Sequence, residues 1–256
     1  MRQPRKRSES GIYHIILRGI NRQDIFYDDD DYRHFLETIN QMKTDDQFGV
    51  YGYCLMTNHV HLLIRENTDT ISRIMSRVGT SYAWWYNRKY GRSGHVFQGR
   101  YGSECVENNE YMLTVIRYIH NNPVKAGIVQ EPREYRWSSI HAYYGTWEYP
   151  YGLTEPSFPL GIFNQDREKA LLAFHEFMNQ QNEDKCLENE TKQRKTDLEV
   201  KTEIEKLMNG DFIGMLQGME RIRRNEILRK AKKIDGASLR QISRVTGLSV
   251  DIVFKA

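Results

Sequence analysis

A chain of 256 residues with 37 Lys and Arg against 34 Asp and Glu is long for one domain of about 100 to 200 residues, which leaves room for a main domain with an appendage. Its mild basicity, 16 tyrosines and clustered Arg and Lys are compatible with a polynucleotide partner but do not establish one. Cys54, Cys105 and Cys186 are odd in number and lack Cys-X-X-Cys spacing, so no disulfide framework or zinc ribbon is encoded, and no run approaches the roughly 20 apolar residues of a membrane span; the expected setting is a reducing cytoplasm.

Four of the first seven residues are Arg or Lys. Such an arm, with Arg5, Lys6 and Arg7, is either a solvated tail or a grip on phosphates. Tyr13 to Arg18 is a β-branched and aromatic run ending at Gly19, hence a first strand. Asp28 to Asp31 then supply cap and first-turn carboxylates for a helix carrying Tyr32, Phe35, Leu36 and Ile39 at helical spacing. Capping explains four consecutive aspartates better than metal binding, because neighbouring helical side chains fan apart.

Val50 to Met56 and Asn58 to Arg65 predict two antiparallel strands joined tightly at Thr57-Asn58. On the second, His59 and His61 point to one face while Val60, Leu62 and Ile64 point to the other. Two neutral imidazoles placed in this way can converge on a divalent ion. By itself the pair is equally compatible with ordinary half-buried strand histidines.

Ile71, Ile74, Met75, Val78, Tyr82 and Trp85 mark a long helix closed by Gly91. The following loop, with Arg92 and Arg100 among glycines, offers a backbone that a phosphate can approach. It lacks the pattern of a nucleotide-hydrolysing P-loop. Tyr101 to Val106 predicts another strand, and Asn108 or Asn109 caps a helix carrying Tyr111, Met112, Val115, Ile116 and Ile119. Pro123 disfavours helical geometry at Asn122, so Tyr118 is expected in the last helical turn. The order β-α-β-β-α-β, followed by a helix, predicts an α+β fold: a ferredoxin-like antiparallel sheet with helices packed on it.

Asn58-His59-Val60-His61-Leu62-Leu63, the segment from Gly94 to Tyr101, Tyr118 to Gly127 and Trp137-Ser138-Ser139 together resemble the single-tyrosine HUH transposases, within them the REP-associated tyrosine branch. The resemblance covers roughly residues 10 to 145. It implies a metal-dependent endonuclease and strand transferase acting on single-stranded or hairpin DNA through a covalent 5′-phosphotyrosine intermediate. Position by position, it makes Tyr118 the nucleophile and His59 and His61 ligands of Mg²⁺ or Mn²⁺. Asn122 takes the place of a third ligand, with His120 as its competitor. It also implies a bacterial, nucleoid-associated setting, and a monomer or homodimer with Tyr118 acting in cis or in trans. Arg18, Arg22 and Lys125 join Arg5, Lys6, Arg7, Arg92 and Arg100 as candidate DNA contacts.

Residues 1–148 are thus expected to form the nuclease core. Residues 149–206 are expected as a connector: a helix from Asp166 to Gln180, then a stretch in which fourteen of twenty-five residues from Asn182 to Lys206 are charged. In the helical segment 207–256, Glu220 to Lys233 holds seven Arg or Lys against two Glu. Ser238 to Ser249 reads as the first helix and turn of a helix-turn-helix, with Arg240 and Arg244 as candidate DNA contacts and Val253 packing back. The alternative to an enzyme is a regulator whose core has lost catalysis and which binds DNA through these helices. A second alternative is a hydrolase that uses metal-bound water.

Overall fold

In the computed structural model, which describes residues 5–46, 48–187, 195–234 and 236–256, the four strands form one antiparallel sheet in the order β2-β3-β1-β4. They are β1 (Ile12–Arg18), β2 (Gly49–Met56), β3 (His59–Arg65) and β4 (Gly102–Cys105), with α1 (Asp29–Asp46) after β1 and α2 (Ile71–Lys89) after β3. β3 lies between β1 and β2, and β1 between β3 and β4, so both β-α-β units are split, as in the expected ferredoxin-like sheet.

β1, β2 and β3 are buried along nearly their whole length and β4 is half-buried, the mark of a sheet covered on both faces. Pairing of Ile16 with His61 and of Arg18 with His59 sorts the side chains. His14, Ile16, Arg18, His59 and His61 share one face, while Tyr13, Ile15, Leu17, Val60 and Leu62 share the other. Leu17 lines a cleft with Met75 and Gly79 of α2, which puts α2 on the face without histidines. α3 (Asn109–Lys125) packs on the histidine face. At the free edge of β2, Trp137 and Ser139 bond to Leu55 and Tyr53 through the backbone.

Local chemistry explains the helix starts. Asp28 accepts the backbone N–H groups of Asp30 and Asp31, while Asp31 reaches back to those of Tyr27 and Asp28. This reciprocal capping satisfies donors that the first turn leaves orphaned. Asp31 is fully buried and also meets Lys89 Nζ at 2.8 Å and the Tyr90 hydroxyl at 2.7 Å. Asn108 caps α3 by accepting from Tyr111 N–H.

The expected end of α3 at Asn122 is not observed. The helix runs through Pro123 to Lys125 because its buried stripe, Met112, Val115, Ile116 and Ile119, continues onto Pro123 itself. Burial of that stripe outweighs the local preference before proline, although Pro123 offers no N–H to the preceding turn.

Two compact units divide the chain, residues 1–188 and 189–256. The break cuts through the stretch expected as a connector. In the first unit, α4 (Ile140–Tyr144), α5 (Ser157–Phe163) and α6 (Arg167–Asn179) add Tyr143, Leu160 and Phe174 to the core. Residues 181–187 lie along α3, where Arg117 and Asp184 form a buried ion pair at 2.6 Å.

The second unit holds α7 (Asp197–Leu207), α8 (Arg221–Ala231), α9 (Leu239–Thr246) and α10 (Val250–Lys255) around its own small core. α7 arises inside the charged stretch: Thr196 and Glu199 form a capping box, and Val200 and Ile204, one turn apart, are fully buried. Gly247 takes a left-handed conformation between α9 and α10, and Val253 is fully buried in the core of this unit.

Candidate active site

The histidine face of the sheet and the last turns of α3 bring four rings together. His59 and His61 lie edge to face with ring centroids 5.1 Å apart. Tyr118 approaches His61 at 5.6 Å, again edge on. A third histidine, which the sequence reading passed over, completes the group. His14 stacks on His61 at 5.3 Å and meets the edge of Tyr118 at 5.9 Å.

His61, His14 and Tyr118 are buried, whereas His59, Arg18 and Lys125 keep solvent exposure. Burial, with Arg18 adding to it, pushes His59 down to about 4. It also lowers His61 well below the ordinary histidine value, with His14 and His59 adding to the effect. Both imidazoles are therefore neutral at pH 7, the form that ligates metals. His59 Nδ1 lies 2.7 Å from Asn58 Oδ1, so this nitrogen carries the proton and Nε2 carries the lone pair. A metal about 2.1 Å from each ligating nitrogen sets two imidazole centres roughly 5 Å apart, which the observed pair matches.

Asn122 and His120 are placed differently from one another. The Asn122 amide nitrogen donates to the Tyr118 carbonyl at 3.0 Å, so half of this side chain is engaged by its own helix. His120 is fully buried with Nε2 at 2.8 Å from Ser139 Oγ, and its ring packs on Tyr143. Two residues along a helix turn a side chain by about 200°, which carries His120 away from the Tyr118 side and removes it as a competing ligand. Among the described residues, no group of three or more His, Cys, Asp or Glu is arranged to hold a metal.

The predicted DNA contacts fall into distinct places. Arg18 stands beside His59, and Lys125 Nζ lies 4.7 Å over the Tyr118 ring, so both cations border the site. Arg5 and Arg100 line a cleft of about 640 Å³ together with Trp84, His95 and Tyr101, and Arg5 stacks on Tyr101. Lys6, Arg7 and Arg22 are exposed, and Arg22 stands in a left-handed turn. Arg92 is engaged within the protein by Tyr86 and Gln23. In the second unit, Arg240 is exposed, whereas Arg244 forms two 2.6 Å bonds to Asp197. The loop expected to cradle phosphate is tied to the end of β1, with Gln98 N–H bonded to the Arg18 carbonyl and Ile20 N–H to that of Val96.

The site thus sets a histidine pair on a sheet strand against a tyrosine on the next helix but one. Residues 8–122 match the family model described as transposase IS200-like. The chain is 25% identical over 105 residues to a Haemophilus influenzae protein described as a REP-associated tyrosine transposase, covering 37% of this chain and 60% of that one. The chain thus spans under two thirds of the length of the curated relative it matches. A solved REP-associated tyrosine transposase bound to a REP hairpin aligns with a TM-score of 0.49 at 19% identity, over 61% of this chain and 89% of the other. A transposase-like structure from Deinococcus radiodurans gives a TM-score of 0.34 at 16% identity, over 47% and 97%. No helix among the described residues is long and apolar enough to cross a membrane.

Proposed function

We propose that the protein is a metal-dependent endonuclease and strand transferase for single-stranded, hairpin-containing DNA, with Tyr118 as its nucleophile. The observation that carries this reading is the edge contact of Tyr118 with His61, across the interface between α3 and the histidine strand. His59 and His61, with Asn122 as the third ligand, would hold a divalent ion, Mg²⁺ or Mn²⁺. Bound there, the ion supplies Lewis acidity at the scissile phosphate.

The protein's own groups do the rest. Tyr118 Oη forms a bond to phosphorus as the P–O3′ bond breaks. The hydroxyl proton is lost to solvent, and the departing 3′ oxygen takes one up to become a free 3′-OH. The phosphodiester energy is kept in the tyrosyl ester for rejoining, so no nucleotide cofactor is consumed. Lys125 and Arg18 supply positive charge where the DNA backbone would lie.

The test is incubation of the full chain with labelled hairpin oligonucleotides from the flanks of its own gene, in Mg²⁺ or Mn²⁺. A covalent adduct that survives denaturing electrophoresis, with its DNA-linked peptide containing Tyr118, is the expected result. Cleavage without an adduct would point instead to water as the nucleophile. A second reading is favoured by the helix-turn-helix of the second unit: binding without cleavage would make the protein a DNA-binding regulator. Sedimentation and mixed-variant complementation decide between a monomer and a homodimer using Tyr118 in trans.

A further inference from the structure

We propose that Glu104 and His14 fix the tautomer of His61 and so decide whether its Nε2 can act as a ligand. Both would be positioning residues. The inference rests on the reading of His61 as a metal ligand and adds two residues that the reading leaves out.

No local sequence signal brings these groups together; the sheet register does. His14 pairs with Leu63 across β1 and β3 and with Glu104 across β1 and β4, on the face that carries His61. His14 Nε2 and His61 Nδ1 are 3.0 Å apart inside the protein. At that distance one proton lies between the two nitrogens, so one ring donates and the other accepts. A neutral imidazole carries a single proton, which leaves two arrangements.

In the first, His61 donates from Nδ1 and keeps a lone pair on Nε2. In the second, His14 donates from Nε2, and His61 holds its own proton on Nε2, where it blocks a metal. The other nitrogen of His14 separates them. His14 Nδ1 is buried, with no hydrogen-bond partner among the described residues, and lies 3.9 Å from Glu104 Oε2. The first arrangement turns an N–H toward this carboxylate, whereas the second turns a lone pair toward it.

The carboxylate therefore selects the ligand-competent form. Glu104 is itself anchored, since Leu187 N–H donates to it at 2.9 Å. The His14 ring first, and the neighbouring Tyr111 hydroxyl and Leu187 N–H after it, hold Glu104 down at about 2, so the negative charge is present throughout the working range.

The test reads the rings without metal. In metal-free full-length protein labelled with ¹⁵N-histidine, long-range ¹H–¹⁵N correlation should show His61 protonated at Nδ1 with a bare Nε2. His14→Gln should keep that form, because its amide oxygen replaces the accepting nitrogen, and Glu104→Gln should shift His61 toward Nε2 protonation. Mn²⁺ alone, titrated calorimetrically, should bind roughly 10- to 100-fold more weakly to His14→Phe than to the wild type, with affinity recovered in His14→Gln. Wild-type His61 protonated at Nε2 overturns the proposal whatever the metal result, as does wild-type Mn²⁺ affinity in a folded His14→Phe protein. Mn²⁺ affinity unmoved by His61→Ala would instead refute the ligand reading, and the ring spectra of the metal-free protein keep the two failures apart.

Discussion

Replacing Tyr118 with Phe removes one oxygen and keeps a ring that is buried against His14 and His61 and beneath Lys125 Nζ. Packing is conserved, so the stability cost is that of a single hydroxyl, about 1 kcal/mol. Tyr118→Ala empties the same space and should cost about 3–5 kcal/mol, in the range for truncating a large buried aromatic. Urea unfolding of both variants, run beside denaturing gels of DNA reactions, separates chemistry from packing. The Phe variant should stay within about 1 kcal/mol of wild type and form neither adduct nor cleaved product, because the attacking oxygen is gone. Covalent adduct formed by Tyr118→Phe, or a DNA-linked peptide mapping to Tyr111 or another tyrosine, would refute the assignment.

His59→Ala and His61→Ala should each abolish cleavage in Mg²⁺ or Mn²⁺ while DNA binding persists; normal cleavage by either sinks the metal assignment. Of the two, His61→Ala should be the less stable by about 1–3 kcal/mol, since it leaves the buried His14 Nε2 without its partner. Removing the second unit should weaken DNA affinity and flatten its salt dependence, as seven Arg or Lys cluster between Glu220 and Lys233. The cut belongs at Asn189 rather than 207, because Val200 and Ile204 of α7 are core residues of that unit; an unchanged slope of log affinity against log salt would show that the cations serve another partner. Asp31→Asn should cost about 1–3 kcal/mol, as it puts an amide donor into a buried network of donors, while Lys89 keeps its ion pair with Asp28. Chemical denaturation that shows a loss under about 1 kcal/mol would refute the structural weight given to Asp31.

The element order was legible because each strand and helix announces itself locally. Tyr13 to Arg18 is a β-branched and aromatic run, Ile71 to Tyr82 follows the helical period, and Asn108 stands where a cap is needed. His59, His61 and Tyr118 were legible as a motif. What escaped were features set by tertiary partners. His14 is an ordinary strand histidine until β1 is placed in register against β3. Pro123 reads as a stop until the stripe beneath it is buried. α7 was hidden by charge, although Thr196 and Glu199 at capping-box spacing and Val200 and Ile204 one turn apart were there to be read.

The central position of β1 carries a consequence for how the site comes into being. His14, His61 and Glu104 lie far apart in the chain and meet through the two pairings of one strand, onto which the packing of α3 brings Tyr118. A slip of β1 by a single residue would turn His14 to the opposite face and leave the helix tyrosine against a different ring set. Closing these long loops makes the site a product of non-local contacts, which form late and together. During folding, the chain would therefore hold no exposed half-site able to nick DNA. Fragments ending before β4, which lack Glu104 and α3 altogether, should be inert toward DNA cleavage even where their helices form.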